Sequence, residues 1–139
     1  MSNEQVALEA AAMTYATMIG KIANADDAAY RAVISYAAIA GIEAEEARER
    51  VVREYQERRD FYAGALLESF AQTLTASVIQ ASVDSQAVEW GLDRVPADIM
   101  MAIGYYANAY ALVAKIPASE AIVLLRGKIH ELYIKRHDR

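Results

Sequence analysis

The chain contains no cysteine, only two histidines, two prolines, two phenylalanines and one tryptophan in 139 residues. Without cysteine it has no disulfide, no thiol nucleophile and no thiolate metal ligand. The two histidines, His130 and His137, fall seven residues apart on an expected helix, about 10 Å by helical rise. That is too far for one ion without further ligands, and Glu131 does not complete the ExxH pair of a di-iron bundle. Both histidines read as solvent-facing residues near a basic helix end. There is no glycine-rich phosphate loop, no GxSxG, no HExxH and no EF-hand loop. The expectation is a non-enzymatic protein with no catalytic residue, no metal and no cofactor.

Long hydrophobic runs are also missing. The longest uncharged apolar stretch, Ile99 to Ala114, is shorter than the ~20 residues of a membrane-spanning helix, and it carries Asn108 and three tyrosines. The first residues, MSNEQVALEAAAM, lack the basic n-region of a signal peptide. A soluble protein, intracellular or belonging to a virion and without a membrane partner, is expected. Glutamine and asparagine are scarce, and arginine supplies 10 of the 14 basic residues. Such a composition leans toward a thermophile.

What the chain does have is apolar residues, at 55% against the usual 45–50% or so. Alanine accounts for roughly a fifth of the chain, so small side chains supply much of the excess. A domain of this size needs fewer apolar residues than a large one. Some apolar surface is therefore expected at an interface. The net charge of −5 disfavours a protein that coats phosphate with its whole surface, while leaving room for a local basic patch.

Helical spacing dominates and no strand alternation stands out. Ser2-Asn3-Glu4-Gln5 reads as a capping box, with Gln5 reaching back to Ser2. Leu8, Ala12, Tyr15, Ile19 and Ile22 then form one seam. Asn24 to Asp27 ends this helix and caps the next, which runs to Ala40 with Gly41 as its C′ residue. Residues 44–83 contain a single glycine, Gly64, and no proline. Their first half is laced by i,i+4 pairs (Glu46–Arg50, Arg50–Glu54, Glu54–Arg58), and Ala63, Leu67, Phe70, Leu74, Ser77 and Ala81 continue the repeat. The segment is expected to be one long helix, bent near Gly64, with two helices joined near Asp60 as the alternative. Asp84-Ser85 starts a short helix to Trp90, closed by Gly91. Pro96 suits the first turn of the next helix, whose seam is Ile99, Ile103, Tyr106, Tyr110 and Val113. Its other faces are also apolar or small, which marks a central helix. Pro117 or Ser119 opens the last helix, with Ile122, Leu125, Ile129 and Leu132 inward. The expected fold is all-α: a single-domain bundle over residues 1–139, of about five to six helices including one long one.

Candidate functional residues are few. The carboxylates from Glu43 to Glu57 are interleaved with Arg48, Arg50, Arg53, Arg58 and Arg59, the pattern of a solvated, salt-bridged face. The C-terminus is net positive: Arg126, Lys128, Lys135, Arg136 and Arg139 face only Glu131 and Asp138. They complement the helix dipole, or contact an acidic partner or nucleic acid. Nine tyrosines against two phenylalanines single out Tyr105, Tyr106 and Tyr110 as core or interface residues. Asn108 among them sets helix register or touches a ligand. A helix-turn-helix over residues 97–136 is disfavoured, because Glu120, Ala121, Ile122 and Val123 are poor base readers.

In size, helicity and composition the chain is similar to small helical coat proteins of archaeal filamentous viruses, a likeness that no residue motif carries. The apolar excess, the small-residue seams, the long helix and the charge split between tail and body point to a structural subunit that oligomerises through helix packing, of a viral coat or nucleocapsid type that packages nucleic acid. The expected partners are copies of itself or a related helical subunit, with nucleic acid reached through the basic C-terminus. The alternative is a small helical adaptor or inhibitor subunit that acts by protein–protein binding in a larger ribonucleoprotein or protein complex.

Overall fold

The computed structural model describes residues 2–92 and 94–137, with no account of the His137 side chain. Among the described residues the chain is all-helical, with seven helices rather than five or six and no strands. They are α1 (Asn3–Ile19), α2 (Ala25–Ala40), α3 (Ala44–Glu57), α4 (Arg59–Gln80), α5 (Ser85–Trp90), α6 (Ala97–Ala114) and α7 (Ala118–His137). The chain divides into two compact units, Met1–Leu66 and Leu67–Arg139, with the boundary inside α4.

In the first unit, Ser2 caps α1 by accepting the Gln5 N–H at 3.1 Å. Among the described residues the reciprocal half of the expected capping box is not formed. The Gln5 side chain turns along the helix and donates to Glu9 at 2.9 Å, where a carboxylate one turn ahead is a strong acceptor. Asn24 sits at the start of α2 in the left-handed region (φ 66°) with no side-chain cap. Asp26 and Asp27 in the first turn complement the helix dipole instead. Gly41 ends α2 at φ 67°, a conformation glycine adopts without the Cβ penalty.

The buried faces of this unit are narrow. Ala11, Ala12 and Ala16 of α1 and Ala25, Ala29, Tyr36 and Ala37 of α2 are inside. Such small side chains let helices approach closely. α3 buries Ala47, Val51 and Tyr55 at i, i+4, i+8. The Tyr55 ring meets Tyr15 of α1 edge-on, with centroids 5.2 Å apart, a pairing that adds about 0.5–1.5 kcal/mol to the burial itself.

The expected single helix over 44–83 breaks at Arg58, which leaves helical geometry at φ −124°, ψ 31°. Gly64 lies within α4. The ladder barely notices the break: the Arg58 N–H still bonds Glu54 O, and its carbonyl accepts from Tyr62 N. The break shows in the Arg58 dihedrals and in the contacts of its side chain. Its guanidinium reaches Glu54 at 3.0 Å and Glu9 of α1 at 3.3 Å and lies 4.2 Å over the Phe61 ring. A contact 49 residues away in sequence is not visible to periodicity.

In the second unit, Asp84 caps α5 through the Gln86 N–H at 3.0 Å, and Gly91 ends it at φ 66°. Pro96 occupies the N-cap of α6, one residue before the first turn. α7 packs against both α5 and α6. The core holds Leu74, Val78, Val88, Ile103, Val113, Leu125 and Ile129, each worth about 1.5–3 kcal/mol of burial. Thr75 is fully buried and satisfies its hydroxyl by donating to Ala71 O at 2.6 Å. No single helix is long and apolar enough to cross a membrane. α6 and α7 pass that test of length and composition only as a pair, and the pair is bent by 116°.

α6 is not buried all round. One face holds Ile99, Ile103, Ala107 and Val113 in the core, and the opposite face is open. Apolar composition around a helix does not require burial around it when another surface can take the exposed half.

Candidate functional site

The open face of α6 consists of Asp98, Met101, Tyr105, Asn108, Leu112 and Lys115. The five residues from Asp98 to Leu112 are spaced 3, 4, 3 and 4 apart, so they form one stripe, and Lys115 follows at the C-cap in the left-handed region (φ 58°). Met101 is 75% exposed, and Tyr105 and Leu112 are each 45% exposed. A helix face meant for water carries charge along its length. Here charge stands only at the two ends. The three expected interface tyrosines do not share this surface. Tyr105 lies on the stripe, while Tyr106 turns inward onto Phe70 at 4.7 Å between centroids and Tyr110 is half-buried. Asn108, expected to set register or touch a ligand, is exposed in the middle of the stripe.

A second surface lies within the first unit. Tyr15, Met18, Ala29, Tyr30, Val33, Ile34 and Val52 line an open groove of about 520 Å³, with Asp26, Glu45 and Arg48 among its walls. Tyr30 is 69% exposed there. The groove has the apolar lining of a ligand or helix site. Its residues come from α1, α2 and α3, whose mutual placement no local pattern encodes.

The basic C-terminal group is dispersed. Lys128 pairs with Glu68 at 3.0 Å and Glu131 at 3.6 Å, and Lys135 pairs with Glu131 at 3.2 Å. The Glu68 hydrogen bond, followed by the surrounding negative charge, raises the Lys128 pKa above the usual lysine range. The Lys135 hydrogen bond, with both ammonium groups beside it, lowers that of Glu131. Arg126 is half-buried with its guanidinium against Gly91, and its Nε is buried without a hydrogen-bond partner among the described residues. Arg136 is exposed at the end of α7. Arg139 lies outside the described residues.

His130 is not solvent-facing. It is half-buried, with Nδ1 2.9 Å from the hydroxyl of Ser85 at the start of α5. A serine beside a histidine invites comparison with a hydrolase dyad. Ser85 is 4% exposed, however, so its hydroxyl is closed to a substrate, and the pair instead fastens α5 to α7. The partners are 45 residues apart, which is why neither reads as special in sequence.

The first unit carries a polar cluster at the break between α3 and α4. Tyr62 is buried, and its hydroxyl donates to Glu54 at 2.6 Å. Burial, then that carboxylate, push its pKa well above the tyrosine range. Glu9 is held below the usual carboxylate range, chiefly by the Gln5 hydrogen bond and then by Arg58. These groups are mutually satisfied and fasten α1, α3 and α4. Among the described residues, no three His, Asp or Glu side chains gather to hold a metal.

The bend between α6 and α7 falls within the angular range of a helix-turn-helix. The first turns of α7 nevertheless expose Ser119, Glu120, Val123 and Leu124, which offer an acid and two aliphatic chains where base readers need donors.

No protein-family pattern matches this chain, and comparison with curated proteins and with solved structures gives no match.

Proposed function

We propose that this chain is a non-enzymatic assembly subunit that self-associates through helix packing. The observation that supports the reading best is the open face of α6, where Met101, Tyr105 and Leu112 stand exposed in one stripe. Large apolar side chains in a contiguous row mark protein contact surfaces. Tyr30 of α2, Trp90 of α5 and Val123 of α7 are likewise more than half exposed. A coat- or nucleocapsid-type role adds nucleic acid to this reading, through Arg136 and the neighbouring basic residues.

Light scattering after gel filtration tests the proposal, with absorbance at 260 and 280 nm read across the same peak. A mass that is a multiple of 15.3 kDa is expected. A 15.3 kDa species at all concentrations up to about 1 mM, an affinity of only about −4 kcal/mol, refutes self-assembly. Excess absorbance at 260 nm that disappears with nuclease supports the nucleic-acid extension, and its absence removes it.

The groove of the first unit favours a second reading, an adaptor or inhibitor that takes an amphipathic partner helix. An apolar trough of this size with charged residues among its walls suits helix-in-groove recognition. On this reading Val33→Asp abolishes partner binding and leaves the oligomeric state unchanged.

A further inference from the structure

We infer that the groove of the first unit takes a basic amphipathic helix from another protein. The inference rests on the adaptor reading above and adds the conformation and the charge of the partner.

The groove is built wholly from the first unit, and two helices give its long walls. From α2 come Asp26, Ala29, Tyr30, Val33 and Ile34, and from α3 come Ala44, Glu45, Arg48, Val51 and Val52. Each set recurs at one-turn intervals, so each is a stripe along its helix. α1 adds Tyr15 and Met18, one turn apart. From Asp26 to Ile34, as from Ala44 to Val52, is about 12 Å of helix. An incoming helix presents anchors at i, i+3 or i+4 and i+7, which matches the length of each wall. The walls also offer ridges at the spacing of that helix's own side chains.

The middle of the groove is apolar. Ala29 and Val51 are buried, Val33 and Val52 are half-buried, and Tyr30 is 69% exposed. Tyrosine is among the residues that carry most of the binding energy in interfaces, and Tyr30 stands uncovered at this one.

Charge selects the partner. Asp26 and Glu45 are exposed carboxylates, one on each wall. Among the described residues neither forms an ion pair. The helix starts that border the groove are acidic throughout. Asp26 and Asp27 open α2, and residues 43–49 hold four glutamates against Arg48. The dipole offsets only about half of one charge at each start, so the rim stays negative. Arg48 is the single base among the lining residues and does not reverse that balance. The whole first unit has the same sign, with 11 acidic and 7 basic residues among positions 1–66. A basic helix is therefore drawn to this surface and an acidic one repelled. A fatty acid or a phosphate headgroup meets the same carboxylates and is disfavoured. A second copy of the chain, at net charge −5, is a weaker match than a basic partner.

Two synthetic peptides of roughly 14 residues, about four turns, supply the test. One has leucine and lysine at helical spacing, and the other has glutamate in place of each lysine. Each carries a fluorophore, and its anisotropy is read against the full chain at about 0.15 M salt. The lysine peptide is expected to bind at least about ten-fold more tightly than the glutamate peptide. Val33→Asp sets a carboxylate in the middle of the groove and removes this binding, although attraction between net charges alone would strengthen it. Asp26→Lys with Glu45→Lys weakens the lysine peptide about three- to ten-fold. Glu57→Lys with Asp60→Lys, the same charge change outside the groove, alters it less than about two-fold. Far-UV circular dichroism checks that each variant is folded, and the exposed charge reversals keep the test if Val33→Asp does not fold. Equal losses in the two double variants, or binding that survives in folded Val33→Asp, overturn the groove as the site. Equal binding of both peptides, lost in Val33→Asp, overturns the basic partner while the adaptor reading stands. Binding of neither peptide up to about 1 mM overturns both. Self-association of the chain alone that Val33→Asp abolishes assigns the groove to a second copy and overturns the inference as well.

Discussion

Gly91→Ala is expected to destabilise the second unit by about 1.3–3 kcal/mol, and the structure separates the loss into a backbone and a side-chain contribution. Gly91 closes α5 at φ +66°, where a Cβ on an L-residue costs about 1–2 kcal/mol. A Cβ built there also falls 2.7 Å from Nη1 and 2.9 Å from Cζ of Arg126, inside van der Waals contact. The guanidinium must move. It then gives up its place at the C-terminal end of α5, where a cation contributes about 0.3–1 kcal/mol. Urea denaturation followed by far-UV circular dichroism and by fluorescence measures the loss. The only tryptophan, Trp90, is the neighbouring residue, so its signal reports on this helix end. The decisive comparison is Gly91→Ala alone and in an Arg126→Ala background. With the guanidinium absent, only the backbone contribution remains, and the two mutations show a coupling of about 0.5–1 kcal/mol. Equal cost in both backgrounds refutes the close approach of Arg126. A cost below about 0.5 kcal/mol for Gly91→Ala refutes the left-handed cap.

Three further expectations follow from the packing. Ser85→Ala removes the hydroxyl that bonds His130 and costs about 0.5–1.5 kcal/mol, with His130→Ala in the Ser85→Ala background adding less than it does alone; strictly additive losses in urea melts count against the bond. Leu125→Ala empties a fully buried site and costs about 2–5 kcal/mol; a loss under about 1 kcal/mol means that α7 is not seated as described. Glu9 and Glu131 both have lowered pKa values in the fold, so their contribution is present above the usual carboxylate pKa near 4.5 and is lost as pH falls through the lowered values. Acid titration of stability is therefore steeper in the wild type than in Glu9→Gln or Glu131→Gln below that pH, and identical slopes refute the pairing.

Local chemistry was enough for much of this molecule. The all-helical class, the Ser2 and Asp84 caps, the terminal glycines Gly41 and Gly91 and the buried row of α6 all follow from side-chain period and from φ preferences, properties that each segment carries by itself. The i,i+4 pairs Glu46–Arg50 and Glu54–Arg58 are present for the same reason. Arg50, by contrast, turns from Glu54 toward Glu4 of α1 at 3.7 Å, a partner far away along the chain.

The rest depended on which segments meet. Arg58 at the helix break meets Glu9, His130 meets Ser85, and Lys128 pairs with Glu68. Each pairs residues dozens of positions apart, and neither spacing nor composition carries that distance. α6 shows the limit most clearly. Large apolar side chains stand both among its buried residues (Ile99, Ile103, Val113) and among its exposed ones (Met101, Tyr105, Leu112), so composition marks more than one side of the helix as apolar. Only the tertiary structure decides which of them serves the core of the second unit, because that choice depends on where α7 packs; Met101, Tyr105, Asn108 and Leu112 are exposed.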